Sequence, residues 1–127
     1  MLTNAPVAAV LPTTALDRAR EFYEQRLGLK KADEPMQEEP GAVLYECGGG
    51  TRLLVYERAT AGDSEATSAA FRVDDLEGTV EALRGNGVVF EEYDLPGIKT
   101  ENGIAVLGEL KTAWFKDPDG NILAISN

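Results

Sequence analysis

At 127 residues and 43% apolar composition, the chain has the size and apolar content of one compact domain, residues 1–127, with room for a single core. Twelve basic against twenty-two acidic residues give a net charge of -10, which repels nucleic acid and anionic membrane surfaces, and no apolar run approaches the roughly 20 residues of a membrane span. Histidine is absent and cysteine occurs once, at Cys47, so an internal disulfide, the commonest transition-metal ligand and the usual proton shuttle near neutral pH are all missing.

Val7 to Thr13 reads as a buried strand, and Leu16, Ala19, Arg20, Phe22, Tyr23 and Leu27 follow at helical spacing, closed by Gly28. A strand is expected around Leu29 to Asp33, then a loop with Pro35 and Pro40, then strands Ala42 to Cys47 and Arg52 to Glu57 across a glycine-rich turn. The order is βαβββ. Ser68 to Val73 begins the pattern again as a strand, Asp75 to Asn86 as a helix ending at Gly87, and Val88 to Tyr93 as a strand. Asp94 to Gly108 is expected to be a long pocket-lining loop, and Thr112 to Lys116 with Asn121 to Ser126 a closing hairpin. The N-terminal segment carries neither the basic leader nor the long apolar run of a signal peptide, so a soluble, cytoplasmic protein is expected.

Superimposing the sequence on itself tests the repeat. At a shift of sixty, Leu16 falls on Leu76, Asp17 on Glu77 and Phe22 on Ala82; at a shift of seventy, Leu44 falls on Trp114, Tyr45 on Phe115, Gly50 on Gly120, Leu53 on Leu123 and Val55 on Ile125. Two modules follow, residues 5–58 and 66–127. Neither covers its own sheet well, so an α+β fold is expected in which the duplicated βαβββ modules form a curved, barrel-like mixed sheet with two helices outside and a concave pocket within.

The run Leu16-Asp17-Arg18-Ala19-Arg20-Glu21-Phe22-Tyr23 with Leu27-Gly28-Leu29, the run Phe71-Arg72-Val73-Asp74-Asp75-Leu76, and Phe115-Lys116-Asp117-Pro118-Asp119-Gly120-Asn121 together resemble the vicinal oxygen chelate superfamily, the glyoxalase and bleomycin-resistance type. The resemblance covers nearly the whole chain. It implies the glyoxalase/bleomycin resistance fold, and it admits glyoxalases, dioxygenases, epimerases and metal-free drug-binding proteins alike, so the site must decide. In metal-dependent members a ligand sits on the first and on the last strand of each module. Those positions resemble Ala8, Leu54, Ser68 and Ala124 here, and they are related in pairs by the same two shifts. Alanine and leucine offer no lone pair, and one hydroxyl is a poor sole anchor for a divalent ion, so no metal or other cofactor is expected there.

Strand alternation then assigns a face to each side chain. Val10 joins Ala8; Ala70 and Arg72 join Ser68; Arg52 and Tyr56 join Leu54; Ile122 and Ser126 join Ala124. Asp-Pro-Asp-Gly favours a type I turn with glycine in a left-handed bulge, which would set Trp114 opposite Ala124 and point it into the cavity. The candidate ligand-binding set is Trp114, Tyr56, Arg52, Arg72, Ser68, Leu54, Ala8, Val10 and Ala124; no catalytic residue is assigned. Asp17, Asp74 and Asp75 read as caps or helix-dipole partners, Asp117 and Asp119 as turn residues, and Cys47 as structural.

The leading expectation is a metal-independent protein that binds a small, mostly apolar or aromatic organic molecule, in the manner of drug-sequestering members of the family. The alternatives are a glyoxalase- or epimerase-like enzyme using a carboxylate, tyrosine or arginine, and a regulatory interaction module whose cavity is filled by its own side chains. The resemblance also implies a homodimer. Metal-dependent glyoxalase or dioxygenase activity is not expected.

Overall fold

The structure is a computed structural model that describes residues 1–33 and 40–127; Pro35 of the expected loop lies outside the described residues. The chain divides into two compact units, Met1–Gly62 and Asp63–Asn127.

The first unit runs β1 (Ala8–Thr13), α1 (Leu16–Arg20) continuing into a π-helical turn (Glu21–Arg26), β2 (Lys30–Lys31), β3 (Ala42–Glu46) and β4 (Arg52–Glu57). The expected second strand is thus reduced to two residues. The sheet order is β1-β4-β3-β2, with β1 parallel to β4 and the other pairs antiparallel. Alternation buries Leu11, Val43, Tyr45, Leu53 and Val55 on one face, together with Ala19, Phe22 and Tyr23 of the helical segment. The π turn, closed by Leu27 N–H donating to Phe22 O at 3.0 Å, holds one residue more than an α turn and lets the consecutive rings of Phe22 and Tyr23 both be buried. The Tyr23 ring lies 5.9 Å from that of Tyr45. Since Ala15 offers no capping side chain, the start of α1 is served instead by Glu57 at the end of β4, whose Oε1 accepts from Leu16 N–H at 3.3 Å.

The second unit runs β5 (Thr67–Arg72), α2 (Leu76–Gly85), β6 (Asp94–Leu95), β7 (Ile98–Glu101), β8 (Ile104–Leu107), β9 (Leu110–Lys116) and β10 (Ile122–Ser126), in the sheet order β5-β10-β9-β8-β7-β6. Again the first and last strands pair in parallel and the rest antiparallel. Asp75 caps α2, its Oδ1 accepting from Gly78 N–H at 3.1 Å, and Gly87 leaves the helix at φ +88°. Leu76, Val80, Val88, Phe90, Ala113, Phe115, Leu123 and Ile125 are buried.

Two expectations need correction in this unit. The stretch 88–93 is not a strand: it makes one isolated bridge, Phe90 to Phe115, because β8 takes the neighbouring edge of β9 from Leu110 to Ala113. The stretch expected as a loop, 94–108, is instead three short strands returning through two-residue turns. Pro96-Gly97 joins β6 to β7 with Gly97 at φ +83°, Asn102-Gly103 joins β7 to β8 with both residues at positive φ, and Gly108-Glu109 joins β8 to β9. Pro-Gly and Asn-Gly are direct signals for such turns, since proline presets the first dihedral and glycine accepts positive φ. The change of shift from sixty to seventy between the two halves places ten more residues between helix and hairpin in the second module, and β6 to β8 lie in that longer stretch.

Candidate functional site

The hairpin β9–β10 sets the site's register. Asp117 is buried at the turn, and its Oδ1 accepts from Asp119 N–H at 3.0 Å and Asn121 N–H at 2.9 Å, while Oδ2 accepts from Asn121 Nδ2 at 2.8 Å. Gly120 sits at φ +91° and donates to Asp117 O. This knot gives the bulged turn and pairs Trp114 with Ala124, which in turn pairs with Ala70 of β5. The matching row of the first module is Val10–Leu54–Leu44. Two alanines beside the tryptophan stand where Val10 and Leu54 flank Leu44 in the other copy, and their small side chains leave space around the ring.

Trp114 is half-buried and forms one wall of a cleft of about 280 Å³ in the second unit. Tyr93 faces it, with ring centroids 5.4 Å apart and planes at 80°. Leu95, Ile98 and Ile122 supply apolar surface, and Glu65, Ala66 and Thr67 line the remainder. The Tyr93 backbone is fixed by Thr100, whose N–H donates to Tyr93 O at 2.9 Å and whose Oγ1 accepts from Tyr93 N–H at 2.8 Å. The Thr100 hydroxyl itself donates to Glu92 Oε2 at 2.7 Å. Burial, reinforced by the nearby Glu91 charge, pushes the Tyr93 phenol above its ordinary range, so it is a neutral hydroxyl at physiological pH.

The other candidates lie on the sheet faces opposite the helices. In the second unit, Ala70 and Arg72 pair with Ala124 and Ser126 and are exposed on the same face as Trp114; Ser68 stands at a register shift between Thr67 and Ala69 and is exposed. In the first unit, Ala8, Val10, Arg52, Leu54 and Tyr56 share one face by register, with Val10 51% exposed. Arg52 turns back on its own turn, its Nη1 donating to Gly50 O and Thr51 O at 3.1 Å each. The Arg58 guanidinium covers the Tyr56 ring at 5.6 Å. A second concavity, bordered by Thr14, Glu57, Arg58 and Ala59, is wide and has no aromatic wall.

Of the residues singled out in the sequence, Trp114 and Ile122 border this cleft, as do Leu95 and Ile98 from the stretch expected to line the pocket; Tyr93, Thr67 and Glu65 border it too and were not among the candidates. The Pro96-Gly97 signal was present and would have placed Leu95 opposite Ile98.

The four positions that carry metal ligands elsewhere do not fit a metal. Leu54 is paired with Val10 and Leu44, Ala124 with Ala70 and Trp114, Ala8 offers no donor, and the lone Ser68 hydroxyl has no companion. Among the described residues no group of three or more His, Cys, Asp or Glu side chains is placed to hold a metal ion. Cys47 is half-buried, and burial raises its thiol pKa against the opposing pull of Arg52, so it is a weak nucleophile.

A duplicated βαβββ domain of α+β class, with a helix beside each mixed sheet, is the glyoxalase/bleomycin resistance architecture. The chain matches the family model of the Glyoxalase/Bleomycin resistance protein/Dioxygenase superfamily over residues 6–125 and belongs to that superfamily. It is 30% identical over 118 residues to the uncharacterized protein YetH of Bacillus subtilis strain 168, covering 85% of each chain. Among solved structures it is similar in fold to a glyoxalase/bleomycin resistance protein of Catenulispora acidiphila, with a TM-score of 0.66, 19% identity and coverage of 95% of this chain and 96% of that one. It is likewise similar to TnmS3, an antibiotic binding protein from a Streptomyces species, with a TM-score of 0.64, 20% identity and coverage of 97% and 96%. No helix among the described residues is long and apolar enough to cross a membrane.

Proposed function

We propose that this protein binds a small, mostly apolar or aromatic organic molecule without a metal, and that the ligand lies against Trp114. The observation that carries this reading is the cleft itself: two aromatic rings at right angles, three aliphatic side chains and few polar groups, on the sheet face that the fold uses for its chemistry elsewhere. Antibiotic binding by TnmS3, a protein of the same fold, supports it. Ala124 and Ala70, paired in register beside Trp114, and Ser68 at the neighbouring register shift are the further positions we assign to contact with this ligand; Arg72 stands at the other end of β5 from the cleft, and Ala8, Val10, Arg52, Leu54 and Tyr56 form the corresponding face of the first module. The protein works in the cytoplasm as a homodimer in this reading, which sedimentation equilibrium checks directly.

The functional test uses Trp114, the only tryptophan of the chain. A panel of aromatic and amphipathic metabolites and antibiotics is titrated against its fluorescence with and without chelator. Saturable quenching that chelator leaves unchanged is the expected result. Quenching abolished by chelator would overturn the metal-free reading, and a panel that alters neither fluorescence nor thermal midpoint would overturn the binding reading.

A further inference from the structure

We infer that the cleft selects flat organic cations, a protonated amine or similar group carried on one or two aromatic rings; this rests on the binding reading above and adds the charge of the ligand. Among the residues lining the cleft, Glu65 alone carries a charge, and among the described residues no cation stands within ion-pair distance of it. The walls present two π systems, Tyr93 and Trp114, in an edge-to-face pair. Ring faces are the negative poles of aromatic side chains and attract cations, most strongly in tryptophan. A carboxylate and two aromatic rings bordering one small cleft therefore act on the same sign of charge, the carboxylate directly and the rings through whichever faces the ligand meets.

The nearby cations do not reverse this. Arg72, on the same face as Trp114, pairs with Ser126 at the end of β5 opposite to Thr67 and does not line the cleft. Lys116, two residues along β9 from Trp114, stands 3.8 Å from Glu91, and Lys99 lies opposite Asp94 across the β6–β7 pair; neither lines the cleft. The net charge of -10 adds a long-range bias of the same sign, concentrating cations near the surface and repelling anions. The volume of about 280 Å³ lies at the small end of ligand pockets, which fits a body of one or two rings and not a large drug.

Three probes of matched shape test the inference by titration calorimetry at low and moderate salt: 1-naphthylmethylammonium, 1-naphthalenemethanol and 1-naphthoate. The expected order of affinity is cation, then neutral, then anion, with the cation's advantage shrinking as salt rises. In Glu65→Gln, which keeps the side chain's shape, the cation should weaken about three- to tenfold while the neutral probe is unchanged. In Trp114→Leu all binding should fall, with circular dichroism confirming an intact fold. Equal affinities for the three probes, or an anion that binds best, would overturn the charge preference and leave the binding reading standing. Binding of the cation that neither variant alters would place it outside the cleft and overturn the inference, and no binding by any probe would remove both.

Discussion

Tyr45 is fully buried between sheet and helix in the first module, and its hydroxyl donates to Glu24 Oε2 at 3.0 Å, beside the donation of Arg20 Nε to the same oxygen at 2.9 Å. Burial pushes the phenol far above its ordinary value, and Glu24 adds to the shift. Burial alone would raise Glu24 too, but the hydrogen bonds from Arg20 and Tyr45 and the charges of Arg20 and Lys31 outweigh it and hold the carboxyl below its ordinary range. The two groups act at opposite ends of the pH scale. Glu24 contributes stability above the ordinary glutamate value near 4.5, lost as pH falls through its depressed folded value. Tyr45 contributes fully below its ordinary value of 10.0 and progressively less as pH rises above it. Tyr45→Phe should cost about 1 kcal/mol at pH 7, because Glu24 loses one donor, and should flatten the decline between pH 9 and pH 11 in urea denaturation. Parallel curves for the two proteins would show that Tyr45 does not titrate between the folded and unfolded states. The repeat matched Tyr45 to Phe115, which is also buried; its partner was not legible, because Glu24 lies 21 residues away and meets it only through the π turn.

Both helices were legible as elements, since apolar spacing, Asp75 and the glycines at positions 28 and 87 mark them locally. The Trp114–Ala124 register followed from Asp117 and Gly120, whereas the parallel pairing of first and last strand in each module was not read, because the paired residues lie more than forty positions apart with no local signal joining them. The strands β6 to β8 were not read, because two- and four-residue strands are too short to show a period. There the only usable signals are the turns, Pro96-Gly97 and Asn102-Gly103. Gly103 shows how much rests on one of them: it is buried at φ +79°, and a Cβ would stand 2.9 Å from Phe90 Cβ and 3.0 Å from Arg84 Nη2. Both the left-handed dihedral and the contact oppose any side chain, so Gly103→Ala should destabilise by about 1–3 kcal/mol. Gly97→Ala, with open space around it, should cost only the dihedral, about 1 kcal/mol. Equal losses from the two in thermal unfolding would mean that the Phe90 contact is relieved by movement of the turn.

At the scale of the whole chain, the composition carries ten uncompensated negative charges, while ion pairs such as Arg26–Glu21 and Lys111–Glu77 lie at the surface, where each adds little. Self-repulsion outweighs them, so the thermal midpoint should rise on going from about 10 mM to about 150 mM sodium chloride, a range over which the screening length falls from roughly 30 to 8 Å. A falling midpoint in calorimetry would show that surface pairs dominate. Duplication was visible in the sequence because hydrophobic phase, element order and turns agree at two fixed shifts. Its asymmetry was less visible, because it lies in what one copy adds rather than in what the two share. The second copy adds the meander, and the outer tip of that meander, Asp94 to Ile98, brings two residues to the cleft while standing largely clear of the buried core. In the proposed binding reading, part of the ligand contact thus lies in a stretch separate from the buried core. On that reading, an altered five-residue tip would change what is held while Thr100, Gly103 and Ala105 keep the framework, so new ligand preferences would be reachable by exchanging a cassette the way antibodies exchange loops on a constant scaffold.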